Sequence, residues 1–347
     1  MASVSTSKAE ISYIQSGLLS NPPLRADGRA LHDFRTINLE TGVVPLANGS
    51  AHLSIGQNAH HGGNGTEVLS AAKLEVENVE QGEGIDGGRI ICTVTCSPSA
   101  YPHLSSQALE DLQYDMTTIL HETFAHMSLL PKNLGILPGK KSWTLYLDSV
   151  VLTDSGNTYD ALFMAARAAL WDCKVPRTRS VEYKAPTAAP GSKAAESGQM
   201  DVDLDVSVQK SGFDTMAISH AVDFELPDYW DEGEVLDGRE RWPVCVTLNV
   251  AAQSTKGPVV PYLDAILQEE AATPLRLLLV LSFPPGSSPN LHSMRLLGPG
   301  ELDLSQIRDF VTSGEKYAQK VWEGLNGKLK EEDLRRGQKA RDRFARR

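Results

Sequence analysis

The stretch DSGNTYDALFMAARAAL, Asp154 to Leu170, holds the residues best placed for chemistry. Strand-like sequence ends there, Ser155-Gly156-Asn157 turns, and a helix follows with Arg167 as its only charge after Asp160. A glycine turn that delivers a helix N-terminus is a common phosphate site, because its first N–H groups lack partners and the helix dipole is positive there. Asp160 falls in the first helical turn and places negative charge at that end. Asn157 and Asp160 also have the spacing of a capping box. The turn is therefore expected to connect, not to bind an anion.

A second constellation is Arg25-x-Asp27-Gly28-Arg29, followed by Arg35. Asp27-Gly28 reads as a turn, with Asp27 able to pair with the flanking arginines. Such a turn locked by ion pairs is the expected reading, and contact to phosphate or RNA is the other, since arginine suits bidentate phosphate recognition. His60-His61 lies in a Gly/Asn-rich loop without nearby cysteine or carboxylate and is expected to be an exposed loop feature, not a metal site. Cys92, Cys96, Cys173 and Cys245 show no metal-ligand spacing and are expected to be reduced core thiols of a cytosolic or nuclear protein.

The elements that must position these residues follow from periodicity. Ser7 to Glu10 is a capping-box pattern opening a helix that Asn21-Pro22-Pro23 stops. RTINLE, GSAHLSIG and TEVLSAAKLEV read as strands, with QNAHHGGNG as a hairpin loop, and GGRIICTVTC is another strand. Leu109, Leu112, Met116, Ile119, Leu120, Phe124 and Met127 form one stripe of an amphipathic helix within residues 105–130. KSWTLYLDSVVL then leads into the opening turn. In the second half, WPVCVTLNV is a strand, LRLLLVLSF and LHSMRLLG pair around PPGSSPN, and a long helix closes the pattern. Each half holds several strands and then a strong helix, which predicts an α+β fold built from a duplicated unit with helices packed on mixed sheets.

The chain is 41% hydrophobic and 22% charged over 347 residues, an ordinary globular composition. No apolar run approaches the ~20 residues needed to cross a bilayer, so no membrane role is expected. The first residues lack the basic start and apolar stretch of a signal peptide. The net charge is −11, but residues 328–347 carry +5 and the remainder −16. An acidic body argues against gripping nucleic acid over a broad surface, and the basic end is expected to be a solvated tail, contact to RNA or an acidic partner being the other reading. Residues 184–212, rich in Ala, Pro, Ser and Gly, read as a flexible insertion. The expected organisation is a lead-in over 1–24, a first half over 25–183, the insertion over 184–212, a second half over 213–327, and a basic tail over 328–347.

Three blocks, LRADGRALHDFRTINLETGVV with GSAHLSIG, WTLYLDSVVLTDSGNTYDALFMAARAALWDCKVPR, and YLDAILQEEA, occur in an order that resembles RNase PH-fold proteins. Within that fold, also described as ribosomal protein S5 domain 2-like, the pattern resembles ring subunits of the exosome. The resemblance covers roughly residues 9–329 apart from the insertion. Active members phosphorolyse RNA from its 3′ end. They use an arginine with the helix N-terminus to hold phosphate, and an acidic run near the reacting phosphate that holds a metal. Here the turn of Ser155, Gly156, Asn157 and Asp160 has no arginine. Asp264, Glu269 and Glu270 sit where the acidic run belongs, but the next acidic position is missing and Arg276 lies close by. Residues 105–130, where active relatives carry arginines, hold no Lys or Arg.

The resemblance thus implies a degenerate phosphate turn, a degenerate acidic site, and no catalytic residues, metal or cofactor; the acids are expected to pair with neighbouring chains or face solvent, with metal binding by the partial set as the other reading. It implies a scaffold in a ring with other RNase PH-like subunits, among them the mRNA-transport-regulator type as direct pair. Cap proteins and separate nucleases would join the ring, and RNA would pass through its channel in nucleus, nucleolus and cytoplasm. Arg25, Arg29, Lys140 and Lys141 are the candidates for RNA contact. The alternatives are an active phosphate-dependent 3′-to-5′ exoribonuclease and an unrelated small-molecule enzyme on the same architecture.

Overall fold

Two sheets, with one helix buried between them, carry the fold of the computed structural model. It describes residues 6–56, 65–79, 88–181, 223–226, 233–252, 259–284 and 286–345. The first sheet takes β1 (Ile37–Thr41), β2 (Gly49–Ile55), β3 (Thr66–Asn78), β4 (Arg89–Cys96), β5 (Gly135–Leu137) and β6 (Lys141–Thr153) in the order β1-β2-β3-β6-β4, with β5 paired to part of β6. Its pairs are antiparallel except β4 with β6, which run parallel and are linked across helix α2 (Ser106–Phe124). Short strands β7 (Lys174–Val175) and β8 (Arg179–Val181) pair with β10 (Glu234–Val235) and β9 (Asp223–Glu225). The second sheet, of β11 (Val244–Ala252), β12 (Val259–Tyr262), β13 (Arg276–Ser282) and β14 (Asn290–Leu297), is antiparallel in the order β12-β11-β13-β14.

Helix α3 (Thr158–Asp172) lies between the sheets, against β2, β3 and β6 on one side and β11 on the other. Every residue from Thr158 to Trp171 is buried. Ala161, Ala165, Ala168 and Ala169 let the backbones approach, while Leu162, Phe163 and Met164 fill the remaining faces. Fully burying each of these three stabilises by about 1.5–3 kcal/mol. Helix α1 (Lys8–Leu19) carries the Ser7–Glu10 capping box and packs on α4 (Leu267–Ala272) and β11. Helix α5 (Leu304–Ala345) covers β11 and β13. All four cysteines are buried free thiols, with Cys92 and Cys96 on the same face of β4.

Two boundaries differ from the periodicity. Helix α2 ends at Phe124, so Met127 falls in the following turn and is 78% exposed, while Leu129 takes the buried place. Residues 328–345 are no separate tail, because α5 continues through them. Trp171 Nε1 donates to Asp333 at 3.0 Å, Arg239 pairs with the same carboxylate at 3.3 Å, and Arg336 pairs with Asp172. His60-His61 and the 184–212 insertion lie outside the described residues.

Candidate functional site

Strand β6 delivers the turn of residues 154–157 to the seam between the halves. Gly156 has φ +94°, and a Cβ there would sit 2.4 Å from the Ala265 carbonyl oxygen. Only glycine allows the turn to press so closely on the segment that enters α4. Asn157 caps α3 in the left-handed region, φ 62°, without a side-chain cap bond. The expected Asn157–Asp160 capping box is therefore not formed. The Asn157 side chain turns to Asp264, donating from Nδ2 to Oδ1 at 3.0 Å.

The backbone donors of the turn are already occupied. Ser155 N–H donates to Thr66 Oγ1 at 3.0 Å, Gly156 N–H to Asp154 Oδ1 at 2.8 Å, and Asn157 N–H to Glu270 Oε1 at 2.8 Å. Two of these acceptors are carboxylates. The carbonyls of Ser155 and Gly156 accept from Arg35 Nη1 and Nη2, each at 3.0 Å. A phosphate entering the turn would have to displace the chain's own anions.

Asp264 is fully buried with φ 48°. Its Oδ2 accepts from Arg29 Nη1 at 2.7 Å, Arg35 N–H at 2.6 Å and Arg35 Nε at 3.0 Å, and its Oδ1 accepts from Arg35 Nη2 at 2.8 Å. Burial pushes its carboxyl upward, but the hydrogen bonds and charge of Arg35, with Arg29, outweigh this and hold it below its ordinary value. Glu269 is paired in the same way, with Arg25 Nη2 at 2.6 Å and Nε at 3.0 Å, while Arg25 also donates to the carbonyls of Leu263 and Asp264. Glu270 pairs with Arg276 at 3.1 Å. Burial raises its carboxyl, and Arg276 opposes that without reversing it.

The three acids expected to meet neighbouring chains or solvent are thus bound inside the chain by Arg25, Arg29, Arg35 and Arg276. Such a donor set does not fit a divalent cation. Asp264 faces five N–H donors, and two of its partners are guanidinium groups that a metal would have to displace. Among the described residues, no three His, Cys, Asp or Glu side chains converge.

Asp160 points away from the turn. It is fully buried, accepts from Thr247 Oγ1 at 2.7 Å, and leaves Oδ2 without a partner. Burial pushes its carboxyl up to about 7. It links α3 to β11 across the halves and does not sit in an anion pocket.

Beside the turn lies a cleft of about 600 Å³ lined by Tyr101, Asp115, Asp154, Glu270, Arg276 and Arg295 among others. Its two arginines are each matched to a carboxylate, Arg276 to Glu270 and Arg295 to Asp115 at 2.5 Å.

The four residues expected to meet RNA are not brought together. Arg25 has no exposed side-chain surface and cannot reach a nucleic acid from this position. Arg29 is 14% exposed and divides its donors among Asp27, Asp33 and Asp264. Lys140 is exposed in the turn before β6, and Lys141 pairs with Asp223 at 2.9 Å with its Nζ over the Phe224 ring. They stand at the other end of a 13-residue strand from the Gly156 turn, about 40 Å away at ~3.3 Å per residue. Sequence reasoning missed Asp154 and Thr66. Asp154-x-Gly156 is an Asx-turn pattern and was there to be read, since its carboxylate reaches the N–H two residues on. Nothing local to Thr66 marks its role.

Residues 33–176 match the model of the 3′ exoribonuclease family, domain 1, which is the RNase PH domain. A Dictyostelium discoideum protein named as exosome complex exonuclease RRP42 is 24% identical over 94% of this chain and 98% of its own length. Exosome complex component Rrp42 of Thermoplasma volcanium is 31% identical over 47% of this chain and 60% of its own length, so that match spans little more than half of the archaeal relative. Among solved structures, a chain of the Archaeoglobus fulgidus exosome with RNA bound to the active site superposes with a TM-score of 0.60 at 20% identity, covering 91% of this chain and 98% of that one. A chain of an archaeal exosome core gives 0.57 at 19% identity.

Proposed function

From an RNase PH fold and a likeness to Rrp42 proteins along most of its length, we propose that this chain is a catalytically inert subunit of an exosome core ring. It contributes to the ring and to the wall of its RNA channel, while other proteins cleave during 3′-to-5′ processing and decay. Its partners are further RNase PH-like subunits, the mRNA-transport-regulator type as direct pair, together with cap proteins and associated nucleases. It acts in nucleus and nucleolus and in the cytoplasm.

One observation carries the inert reading. The chain's own carboxylates and arginines satisfy each other at the place where phosphate and a metal would have to enter. Glu270 and Asp154 take N–H groups of the turn, and Arg35 spans both the turn carbonyls and Asp264. Charge that would serve catalysis instead closes the seam between the halves. Catalysis by preorganised dipoles needs donors aimed at developing charge, and here those donors are spent in the ground state.

Purification of the chain from its native source tests the ring assignment. The expected result is recovery with other RNase PH-like subunits in fixed ratio. Recovery as a lone monomer would contradict it, and would favour a separate small-molecule enzyme.

A further inference from the structure

Strand β1 is the outer strand of the first sheet and pairs only with β2. Gly56 N–H donates to the Thr36 carbonyl and Gly42 N–H to the Ser50 carbonyl, each at 2.8 Å, so Thr36, Asn38, Glu40 and Gly42 are the residues that bond across to β2. The main-chain N–H and C=O groups of Ile37, Leu39 and Thr41 therefore point out along the open edge, and among the described residues none takes them.

Beside this strand runs a groove of about 510 Å³ between β1 and α5. Phe34, Ile37 and Leu39 form one wall, and Tyr317, Val321 and Leu325 the other. His32 stacks on Tyr317 with ring centroids 4.9 Å apart and joins the two walls. Gly324 leaves the α5 wall open, since a Cβ there would meet nothing within 4 Å. In steps of four along the helix, its row also holds Lys316, Lys320 and Lys328. Lys316 and Lys320 are exposed and have no carboxylate partner among the described residues, and Lys328 has only the exposed Glu331 at 3.2 Å. Asp33, the one acid of the lining, accepts from the Ala30 N–H at 3.2 Å.

We propose that the β1 edge and this groove together take an extended peptide of another protein, added as a further strand outside β1. Three observations fix its chemistry. The outward N–H and C=O groups at 37, 39 and 41 call for a backbone in extended form. The apolar walls call for apolar side chains at alternate positions, those that face the groove. The lysine row calls for Asp or Glu at a further position on that same side, while the exposed Asn38 and Glu40 on the opposite face of β1 disfavour acids at the intervening ones. On its own groove side β1 carries Ile37, Leu39 and Thr41 and no acid, so a second copy of this chain is the poorer fit.

The test pans random nonapeptides displayed on phage against the purified full chain, then titrates the enriched peptide, fluorescently labelled, by anisotropy. The expected peptides carry two apolar residues and one Asp or Glu at successive alternate positions, with no acid between them. Gly324→Phe fills the groove from a helix position where the new residue has the better helix propensity, so binding should weaken about tenfold or more while the thermal midpoint does not fall. Lys320→Glu should weaken binding about tenfold by placing like charge at the acid's position, and added salt should weaken the parent's binding. On peptide binding, amide exchange at Ile37, Leu39 and Thr41 should slow, while Asn38 and Glu40, already bonded to β2, change little. Panning that enriches no peptide, or peptides without the alternation, would overturn the proposal. So would full affinity in Gly324→Phe, or unchanged exchange at the three edge amides. A dimer of the free chain that Gly324→Phe abolishes would overturn it as well, by making a second copy the occupant.

Discussion

Glu270 accepts the backbone N–H of Asn157 at 2.8 Å, so a carboxylate of the second half occupies the start of the helix that the first half delivers. The contact joins two features that usually serve a ligand, a helix N-terminus and a part-buried acid, and satisfies each with the other.

Asp264 is the centre of that seam. Removing it leaves Arg35 and Arg29 without their buried partner, and breaking a buried pair in this way costs about 3–5 kcal/mol. Asp264→Ala is therefore expected to lower the unfolding free energy by that amount, read as a fall in the urea midpoint at unchanged m-value. A carboxylate retained for catalysis alone would show no such loss on removal.

Arg25 gives a companion result. Its guanidinium is buried on Glu269, so Arg25→Ala should destabilise by a similar ~3–5 kcal/mol while the salt slope of RNA binding stays as in the parent. Arg25→Lys keeps the charge but loses the two-pronged contact, and should recover only part of the stability. A reduced salt slope in either variant would mean that Arg25 meets RNA.

Asp160 predicts a pH dependence of opposite sense to that of Asp264. Its folded carboxyl is raised to about 7, against ~3.9 in the unfolded chain. Between those values the folded state holds a proton that the unfolded state has released, so stability falls as pH rises from about 4 to 7 and then levels. Asp160→Asn keeps an acceptor for Thr247 and should abolish that fall, leaving the variant about 2–4 kcal/mol more stable than the parent at pH 8 and little changed at pH 4. Parallel stability curves for the two proteins would contradict this. Asp264 acts the other way, with stability present above ~4 and lost as pH drops through its lowered value.

Residues 184–212 are expected to be dispensable for assembly. The flanking strands β8 and β9 pair directly, with Val181 opposite Asp223, so the chain leaves and returns at one place. Replacing 184–212 by a short Gly/Ser linker should preserve co-purification with ring partners and the thermal midpoint. Loss of assembly would assign the segment a binding role.

The sequence made much of the fold legible. Alternation marked β3, short apolar runs bounded by turn residues marked β2, β6, β11 and β13, and the alanines of α3 announced a helix packed on both sides. The turn itself was visible in Ser155-Gly156-Asn157, where no arginine stands. Its partners were not. Arg25 lies 244 residues from Glu269 and Arg35 229 from Asp264, and no local pattern states which distant charge a buried arginine will meet. Asp160 misled for the same reason. Helical spacing fixed its position in the first turn, but only the docking of β11 brought Thr247 within reach. The basic end misled differently, since its charge read as a tail while Trp171 donating to Asp333, Lys330 on Glu240 and Arg336 on Asp172 make it a docked helix through Arg336.

The most direct measurement is phosphate-dependent release of nucleoside diphosphates from a 3′-labelled or body-labelled RNA by the purified chain. The occupied turn and the arginine-bound acids predict no release above a phosphate-free control, for the parent and for Asp264→Ala alike. Release that requires phosphate and disappears in Asp264→Ala would contradict the inert reading and make the chain an active exoribonuclease.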